Sequence, residues 1–262
     1  MPCHGLHAIP SGPVEFSDIA TTYVICGEKL NVMIDAGVSN SIADFSFLDR
    51  LDIVILTHIH IDHIGLLPEI IQTYKPKVLV KSGFKKYLTT DEGVKKLNES
   101  AEKVLGDLYY IYGEFRKIDE SKVFEINGGE ELDLGGNNLK ILYTPGHAKH
   151  HVSVLVDDFL FTGDSAGAYF NGSVIPTTPP VINYEEYIKS LKMQISLKPR
   201  IVGLAHGGLV SPSVMEDHLK QMLSGEVNIN IDLGGIAGEI LKKQVEVNLR
   251  GLMEAIKNKD KK

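Results

Sequence analysis

The chain has 262 residues, a balanced composition and a moderate negative charge, and these properties exclude several classes of protein. Hydrophobic residues make up 43% and charged residues 23%, which is ordinary for globular proteins and excludes disordered and fibrous chains. The formal net charge of −7 argues against a nucleic-acid partner, because binding to a phosphate backbone needs a basic surface.

The sequence carries no signal for export or for a membrane span. The longest apolar runs, such as 53–56 and 152–156, are far shorter than the roughly 20 residues that a span needs. Residues 1–4 show neither the basic region nor the apolar core of a secretion signal. We therefore expect a cytoplasmic protein without membrane contact, whose two cysteines, Cys3 and Cys26, are reduced thiols.

The first half of the chain predicts strands that alternate with helices. Residues 21–35 read as a hairpin of two short strands, residues 51–56 as a buried strand and residues 77–81 as a further strand. A helical stripe of apolar residues covers 64–74 and ends before Pro76, and residues 84–116 read as charged helix.

The second half returns to strands, at 122–126, 131–134, 139–144, 152–156, 159–162 and 201–204. A helix is expected at 184–197, and the remainder from 214 is mostly helical and ends in a lysine tail. This order favours an α/β or α+β class in which two sheets pack together with helices outside. We expect a single domain over 1–262, with a helical insertion near 84–118 and a helical C-terminal extension near 214–262.

Histidines concentrate where predicted strands end. Residues 57–65 read THIHIDHIG, and His58 and His60, two apart in an extended segment, point to the same side and can share an ion. Asp62 and His63 follow where the chain turns, so they can serve a second ion. Three further strands end in glycine-containing turns that carry His147, Asp164 and His206. Imidazole and carboxylate are ligands for zinc, iron and manganese, so the sequence predicts two bridged metal sites.

These segments resemble, in order and spacing, the metal signatures of the metallo-β-lactamase superfamily. They are THIHIDHIG, TPGH ending at His147, FTGD ending at Asp164 and AHGG containing His206, within a span of roughly 21–208. The resemblance implies an αββα four-layer sandwich of two mixed β-sheets flanked by helices, with the metals at one edge between the sheets.

The resemblance also implies a role for each ligand. His58, His60 and His147 hold the first metal, Asp62, His63 and His206 the second, and Asp164 bridges the two. Two divalent ions are expected, with zinc favoured and iron or manganese left open. Asp62 is also the candidate catalytic residue, because besides binding metal it can orient or relay a proton.

Within the superfamily the chain is most similar to the glyoxalase II and lactonase-like hydrolases. We therefore expect a dinuclear hydrolase that uses a metal-bridging hydroxide on a small ester, thioester or lactone-type substrate. Lactonases of the superfamily have a tyrosine three residues after the bridging aspartate, where this chain has Gly167. Two alternatives stay open: a mononuclear iron oxidoreductase similar to the persulfide dioxygenases, and a metal-stabilised binding protein without turnover.

Other residues receive weaker expectations. Tyr169 and Phe170 follow Asp164 closely, so they are expected to form a substrate wall, with the proline-rich segment 176–180 behind them. Asp52 is either an orienting partner of a ligand histidine or a strand-edge carboxylate. A helical stripe of Leu105, Leu108, Tyr109 and Tyr112 is expected to pack in the core, with a role as a lid or an interface left open. His150 and His151 are expected to lie at the surface or behind the ligands, and His4, His7 and His218 are expected to have no special role. The substrate is expected to be a small molecule, and a homo-oligomer is left open.

Overall fold

Two six-stranded β-sheets face each other in a computed structural model of the protein, which describes residues 3–227, 229 and 234–259. The first sheet contains, in spatial order, β1 (Gly5–Pro10), β2 (Thr21–Cys26), β3 (Asn31–Ile34), β4 (Ile53–Ile55), β5 (Lys77–Lys81) and β6 (Val123–Ile126). Strands β1 to β3 pair antiparallel, and β3 to β6 pair parallel.

The second sheet is also mixed. Its strands are β7 (Glu131–Asp133), β8 (Asn138–Tyr143), β9 (Val152–Val156), β10 (Phe159–Gly163), β13 (Ile201–Leu204) and β14 (Gly208–Val210). Their order is β14-β13-β10-β9-β8-β7, and β10 pairs parallel with β13. A separate hairpin joins β11 (Ala168–Phe170) and β12 (Ser173–Ile175).

Helices cover the outer faces of both sheets. Those of the first half are α1 (Ile61–Ile64), α2 (Leu67–Tyr74), α3 (Lys86–Thr89), α4 (Asp91–Leu105) and α5 (Asp107–Tyr112). Those of the second half are α6 (Tyr184–Ser196), α7 (Ser213–Ser224) and α8 (Gly235–Lys259). Short 3-10 helices occupy Val14–Ile19 and Glu120–Lys122.

The alternation of side chains along the strands divides the core into layers. In β3, Val32 and Ile34 pack between the sheets, whereas Met33 packs outward in the same cluster as Leu67 of α2 and Leu97 of α4. On the second sheet, Leu160 packs outward with helices α6 and α7. The expected αββα sandwich of two mixed sheets is therefore confirmed.

Most element positions agree with the sequence, and the differences have local causes. The predicted hairpin is formed by β2 and β3. The charged helix expected at 84–116 is three helices, because the chain is extended at Thr90, which caps α4 by accepting from Gly93 N, and turns again at Gly106 with φ 56°. Strand β1, with its Gly5 and Pro10, lacks a strand-like sequence and was not predicted.

The expectation of reduced thiols is wrong, because Cys3 and Cys26 form a disulfide. It ties the residues before β1 to the end of β2, and β1 had not been expected to lie beside β2.

Helices fill both regions expected to be helical, the insertion near 84–118 and the extension near 214–262, although 228, 230–233 and the lysine tail at 260–262 lie outside the described residues. The assignment of these regions as an insertion and an extension of one domain stays a prediction. Among the helices of the described residues, none combines the length and the apolar character needed to cross a bilayer. The cytoplasmic location stays a prediction.

Candidate metal centre

The four histidine- and aspartate-bearing segments meet at one edge of the sandwich. Strands β8, β10 and β13 all run in one direction, because both β8 and β10 pair antiparallel with β9 and β10 pairs parallel with β13. Their carboxyl ends carry His147, Asp164 and His206. The segment after β4 of the other sheet supplies the remaining ligand-type residues. Short loops on rigid strands thus place the predicted side chains together.

Three imidazole nitrogens form the first cluster. His60 Nδ1 lies 3.0 Å from His58 Nε2 and 3.0 Å from His147 Nε2. Nitrogens bound to one tetrahedral zinc ion at 2.0–2.1 Å stand about 3.3 Å from each other, so this spacing suits a shared ion. Burial, reinforced by the neighbouring histidines, lowers the pKa of His58 and His147 well below the usual range, and burial lowers that of His60 to about 4. The rings are therefore neutral at pH 7 and offer lone pairs.

Asp62, His63 and His206 form the second cluster. His206 Nε2 lies 3.5 Å and His63 Nε2 3.9 Å from Asp62 Oδ2. Burial alone would raise the pKa of Asp62, but the adjacent histidines outweigh it and lower that pKa, which keeps the carboxylate charged. Burial alone would lower the pKa of His63, but Asp35, Asp62 and Asp164 raise it to about 10.

Asp164 lies between the clusters, and its two carboxylate oxygens face different ones. Its Oδ2 is 3.4 Å from His147 Nε2 of the first cluster. Its Oδ1 is 3.4 Å from His206 Nε2 and 3.6 Å from His63 Nε2 of the second. Burial raises the pKa of Asp164. This is the arrangement that a carboxylate needs if it is to touch two ions.

Orphaned polar atoms test whether these residues fit metal ions. His63 Nε2, His206 Nε2 and Asp164 Oδ1 are buried and have no hydrogen-bond partner among the described residues. A buried polar atom without a partner is costly, and a cation removes that cost. The nitrogen and oxygen donor set is also one that zinc accepts. The residues therefore fit two divalent ions.

The opposite ring nitrogens of the histidines are held by the protein. His63 Nδ1 donates to Asp35 Oδ2 at 2.8 Å, and His147 Nδ1 donates to the Thr177 carbonyl at 2.8 Å. His206 Nδ1 donates to the carbonyl of Ile19, which lies just before β2 of the first sheet. Such bonds fix the ring orientation in which Nε2 faces the cluster, so that Nε2 is the nitrogen left to bind metal when it carries no proton.

Asp164 is held by its backbone. The Asp164 N–H donates to His151 Nε2 at 3.0 Å, and the Asp164 carbonyl accepts from Thr177 Oγ1 at 2.6 Å and from the Tyr187 hydroxyl at 3.2 Å. Gly163 has φ 51°, and a Cβ there would come within 2.7 Å of His151 Nε2 and of Thr57 Oγ1. The glycine before the aspartate therefore permits this close approach.

Some of these supporting residues could not be recognised from the sequence. Asp35 was not singled out, although it follows the apolar strand β3 and precedes Gly37 in the same strand-end pattern as the ligands. Of the two roles open for Asp52, orienting a ligand histidine or lying at a strand edge, the structure shows the second. Asp52 accepts from Asn31 N and pairs with Arg50. His151 is fully buried behind the ligands, and His150 packs against Phe84 with ring centroids 4.3 Å apart and the rings tilted by 58°.

A cavity of about 380 Å³ opens onto the clusters, with His60, Asp62, His147 and Asp164 in its wall. The rest of the wall comes from α4, from α8, from the loop after β8 and from the prolines at 179 and 180. Its apolar side chains include Ile59, Phe84, Leu97, Ala101, Val104, Leu105 and Val247. The stripe left open in the sequence therefore divides, with Leu105 lining the cavity and Leu108 and Tyr112 fully buried in the core.

The substrate wall expected at Tyr169 and Phe170 stays a prediction. Neither residue lines this cavity, whereas Phe170 lines a smaller one together with His206 and Gln244. After Asp164, Gly167 with φ 81° turns the chain into β11. The Phe170 ring then packs against Phe16, with centroids 5.8 Å apart, and the Tyr169 N–H donates to the carbonyl of His206. The backbone of Tyr169 thereby supports the loop that carries His206.

The fold and the site define the class of the protein. A family model described as the metallo-beta-lactamase superfamily matches residues 18–206, which is more than half of the chain, and the chain belongs to that superfamily. It is 74% identical over 260 residues to the metallo-beta-lactamase fold-containing protein ST1585 of Sulfurisphaera tokodaii, covering 98% of this chain and 100% of that protein. The crystal structure of ST1585 superposes with a TM-score of 0.95, covering 97% of this chain and 100% of that one.

More distant relatives carry enzyme names. A probable metallo-hydrolase of Methanocaldococcus jannaschii, MJ0888, is 26% identical over 66% of this chain and 80% of its own length. A hydroxyacylglutathione hydrolase of Blochmanniella pennsylvanica is 24% identical over 70% of this chain and 59% of its own length. This chain is thus a hydrolase-like member of the metallo-beta-lactamase superfamily.

Proposed function

We propose that the protein is a dinuclear metal-dependent hydrolase of a small ester, thioester or lactone-type substrate. The observation that carries the proposal is the position of Asp164, whose two oxygens face two separate sets of ligand-type side chains. A single ion does not need a carboxylate in that position, because each cluster already offers three donor atoms.

The first ion would be held by His58, His60 and His147, and the second by Asp62, His63 and His206, with Asp164 shared. We propose zinc at both positions, since its ligands are imidazole and carboxylate. Two such ions, when bound, polarise a substrate oxygen and lower the pKa of a coordinated water toward neutrality.

Asp62 is the residue proposed to hold and move the proton. Its carboxylate is charged and partly accessible, with a side-chain exposure of 13%, and it reaches the wall of the cavity. Asp62 can therefore accept a proton from the attacking water and return it to the leaving group, while the neighbouring histidines keep it ionised.

Gln244 of α8 is proposed to orient the substrate. Its Oε1 accepts from the buried Tyr112 hydroxyl at 3.2 Å, which fixes the amide, and Gln244 lines the cavity. Within the described residues, its Nε2 has no acceptor, so it can donate to a substrate carbonyl. This contact favours an acyl substrate, and it agrees with the names of the hydroxyacylglutathione hydrolase relatives.

The remaining wall favours a small substrate with an apolar part. The side chains from α4 and α8 exclude water from one side of the cavity, and its charged members outside the clusters are Lys96 and Lys149. Two lysines can accompany one anionic group, but a chain of net charge −7 does not attract a polyanion. We therefore propose small neutral or singly charged acyl substrates and no nucleic-acid partner.

Two measurements test the proposal. Elemental analysis of protein purified without added metal should find two ions per chain. A side-by-side assay of thioester, ester, lactone, phosphodiester and single-stranded RNA substrates should then show the highest turnover on an acyl substrate. The matched control is Asp52→Asn, which changes a carboxylate at a strand edge and should leave both results unaltered.

Two outcomes would contradict the proposal in different ways. One iron per chain without acyl hydrolysis would favour the oxidoreductase alternative. Phosphodiester turnover above every acyl substrate would overturn the substrate class while leaving the dinuclear site in place.

A further inference from the structure

A second cluster of metal-ligand side chains lies outside the centre described above. Cys3 Sγ is 3.5 Å from His7 Nε2, and ligand atoms of Cys3, His7 and Cys26 all lie within 4.8 Å of one another. The two cysteines form a disulfide with their Cα atoms 5.6 Å apart. Two sulfurs and one imidazole are a donor set that zinc accepts once the sulfurs are thiolates.

The pairing of β1 with β2 explains why these side chains meet. Gly5 lies directly opposite Cys26, so the two residues share a face of the antiparallel pair. His7 lies two residues further along β1 and therefore on the same face. A Cβ at Gly5 would have nothing within 4 Å, so the space beside Gly5 is open.

The distance between the Cys3 sulfur and the His7 nitrogen suits a tetrahedral ion, and reduction frees the two sulfurs to move apart. A sulfur at about 2.3 Å and a nitrogen at 2.0–2.1 Å from zinc stand about 3.6 Å apart, which agrees with the 3.5 Å between Cys3 Sγ and His7 Nε2. The His7 ring is held by Phe47, with ring centroids 4.6 Å apart. His7 Nε2 is also 3.0 Å from the His4 carbonyl, so metal binding moves the ring proton to Nδ1.

The cluster is accessible and far from the other centre. Cys3 and His7 are half-buried, and Cys26 is 7% exposed. The first residue of β2, Thr21, lies at the edge that holds the metal ligands, where its N–H bonds the carbonyl of Ala205. Cys26 ends the same six-residue strand, roughly 16 Å away at about 3.3 Å per residue.

We propose that reduction of the Cys3–Cys26 disulfide creates a third metal site, in which Cys3, Cys26 and His7 bind a thiophilic divalent ion such as zinc. A phosphine reductant and one water convert the disulfide into two thiols, and the phosphine becomes its oxide. Metal binding then displaces the two thiol protons. The oxidised and the metal-bound forms exclude each other, because both use the same sulfurs.

The test uses cobalt(II) as the probe on the full-length chain after treatment with a chelator. Reduced protein should bind one more equivalent of cobalt than oxidised protein, with a thiolate-to-cobalt charge-transfer absorption. That band reports this site alone, because the sequence contains two cysteines and the other centre has only nitrogen and oxygen donors. Cys3→Ser and Cys26→Ser should each abolish the band, and His7→Ala should weaken the additional site at least tenfold.

His4→Ala is the matched control, because His4 is an exposed histidine beside Cys3 whose side chain lies outside the cluster. It should leave the additional equivalent and the band unchanged. Equal cobalt binding by oxidised and reduced protein, or no thiolate band in the reduced form, would overturn the proposal. A loss in His4→Ala as large as that in His7→Ala would overturn the assignment of His7. Circular dichroism of each variant confirms folding, and Cys3→Ser, at a half-buried position, serves if Cys26→Ser does not fold.

Discussion

Replacing Asp35 with asparagine should weaken metal binding at the second position, although Asp35 is not itself one of the proposed metal ligands. Asp35 Oδ1 accepts from Thr57 N at 2.8 Å, and Oδ2 accepts from His63 Nδ1 at 2.8 Å. An asparagine can satisfy the Thr57 N–H only with its amide oxygen, which turns its NH₂ group toward His63. His63 Nδ1 must then accept, so the ring proton moves to Nε2 and occupies the lone pair that faces the second ion.

The size of the effect follows from the contacts involved. Loss of an outer partner of a metal-bound histidine lowers metal affinity by about 10- to 100-fold, which corresponds to about 1.4–2.7 kcal/mol. We expect Asp35→Asn to weaken binding of the second zinc ion within this range. The first position should change less, because Asp35 reaches only His58 of its three histidines, and only through the Thr57 hydroxyl, which donates to Asp35 and lies 3.1 Å from His58 Nδ1.

The measurement is a competition titration with a chromophoric chelator, starting from chelator-treated protein, so that the two binding steps are resolved. Asp52→Asn is the control, because the same chemical change at that site removes a bond to Asn31 N far from the ligands. Wild-type affinity for both ions in Asp35→Asn would refute the tautomer argument. An equal loss at both positions would show that Asp35 supports the whole loop after β4 rather than His63.

Substituting Asp164, which is proposed to contact both ions, and His206, which is proposed to contact one, should distinguish the two metal positions. Asp164→Ala should reduce turnover more than loss of any single histidine, whereas His206→Ala should lose only the second ion in elemental analysis. Gln244→Glu keeps the acceptor for Tyr112 but loses the proposed donor, so kcat/KM for the acyl substrate should fall about tenfold in steady-state assays, with metal content unchanged. Chelator-treated protein should be most stable near pH 6.5 in urea unfolding. The pKa of His63 is raised by carboxylates to about 10, so its contribution is lost as pH rises from about 6.5 toward 10. Burial lowers the pKa of His60 and of His218 to about 4, so their contribution is lost as pH falls from about 6.5 toward 4. A midpoint that rises steadily from pH 6.5 to 9 would contradict this.

The ligand-type residues could be found from sequence because each follows directly on a strand that has a local signature. His147, Asp164 and His206 come after apolar strands and within glycine-containing turns, so no knowledge of strand order is needed to suspect them. The fold class followed for the same reason, since the strands are short and many are apolar, and helices occur between groups of strands in both halves of the chain.

Features that depend on which elements become neighbours could not be found in this way. Asp35 bonds Thr57 only because β3 and β4 pair in parallel, and the disulfide forms only because β1 lies beside β2. The larger cavity could not be found either, because much of its wall comes from α4 and α8, which are far apart in sequence and meet over the site.

Both sheets hold the centre, and direct bonds join them beside it. The Thr21 N–H donates to the Ala205 carbonyl at 2.7 Å, and the Val152 N–H donates to the Thr57 carbonyl at 2.8 Å. The Tyr23 hydroxyl donates to the Leu204 carbonyl at 2.6 Å, and burial raises the pKa of that tyrosine, so it stays a donor. His58 and His63 follow a strand of one sheet, and His147 and His206 follow strands of the other. The spacing of the ligands therefore depends on the relative position of the two sheets. These inter-sheet bonds therefore fix the geometry of the site as directly as any residue that contacts an ion.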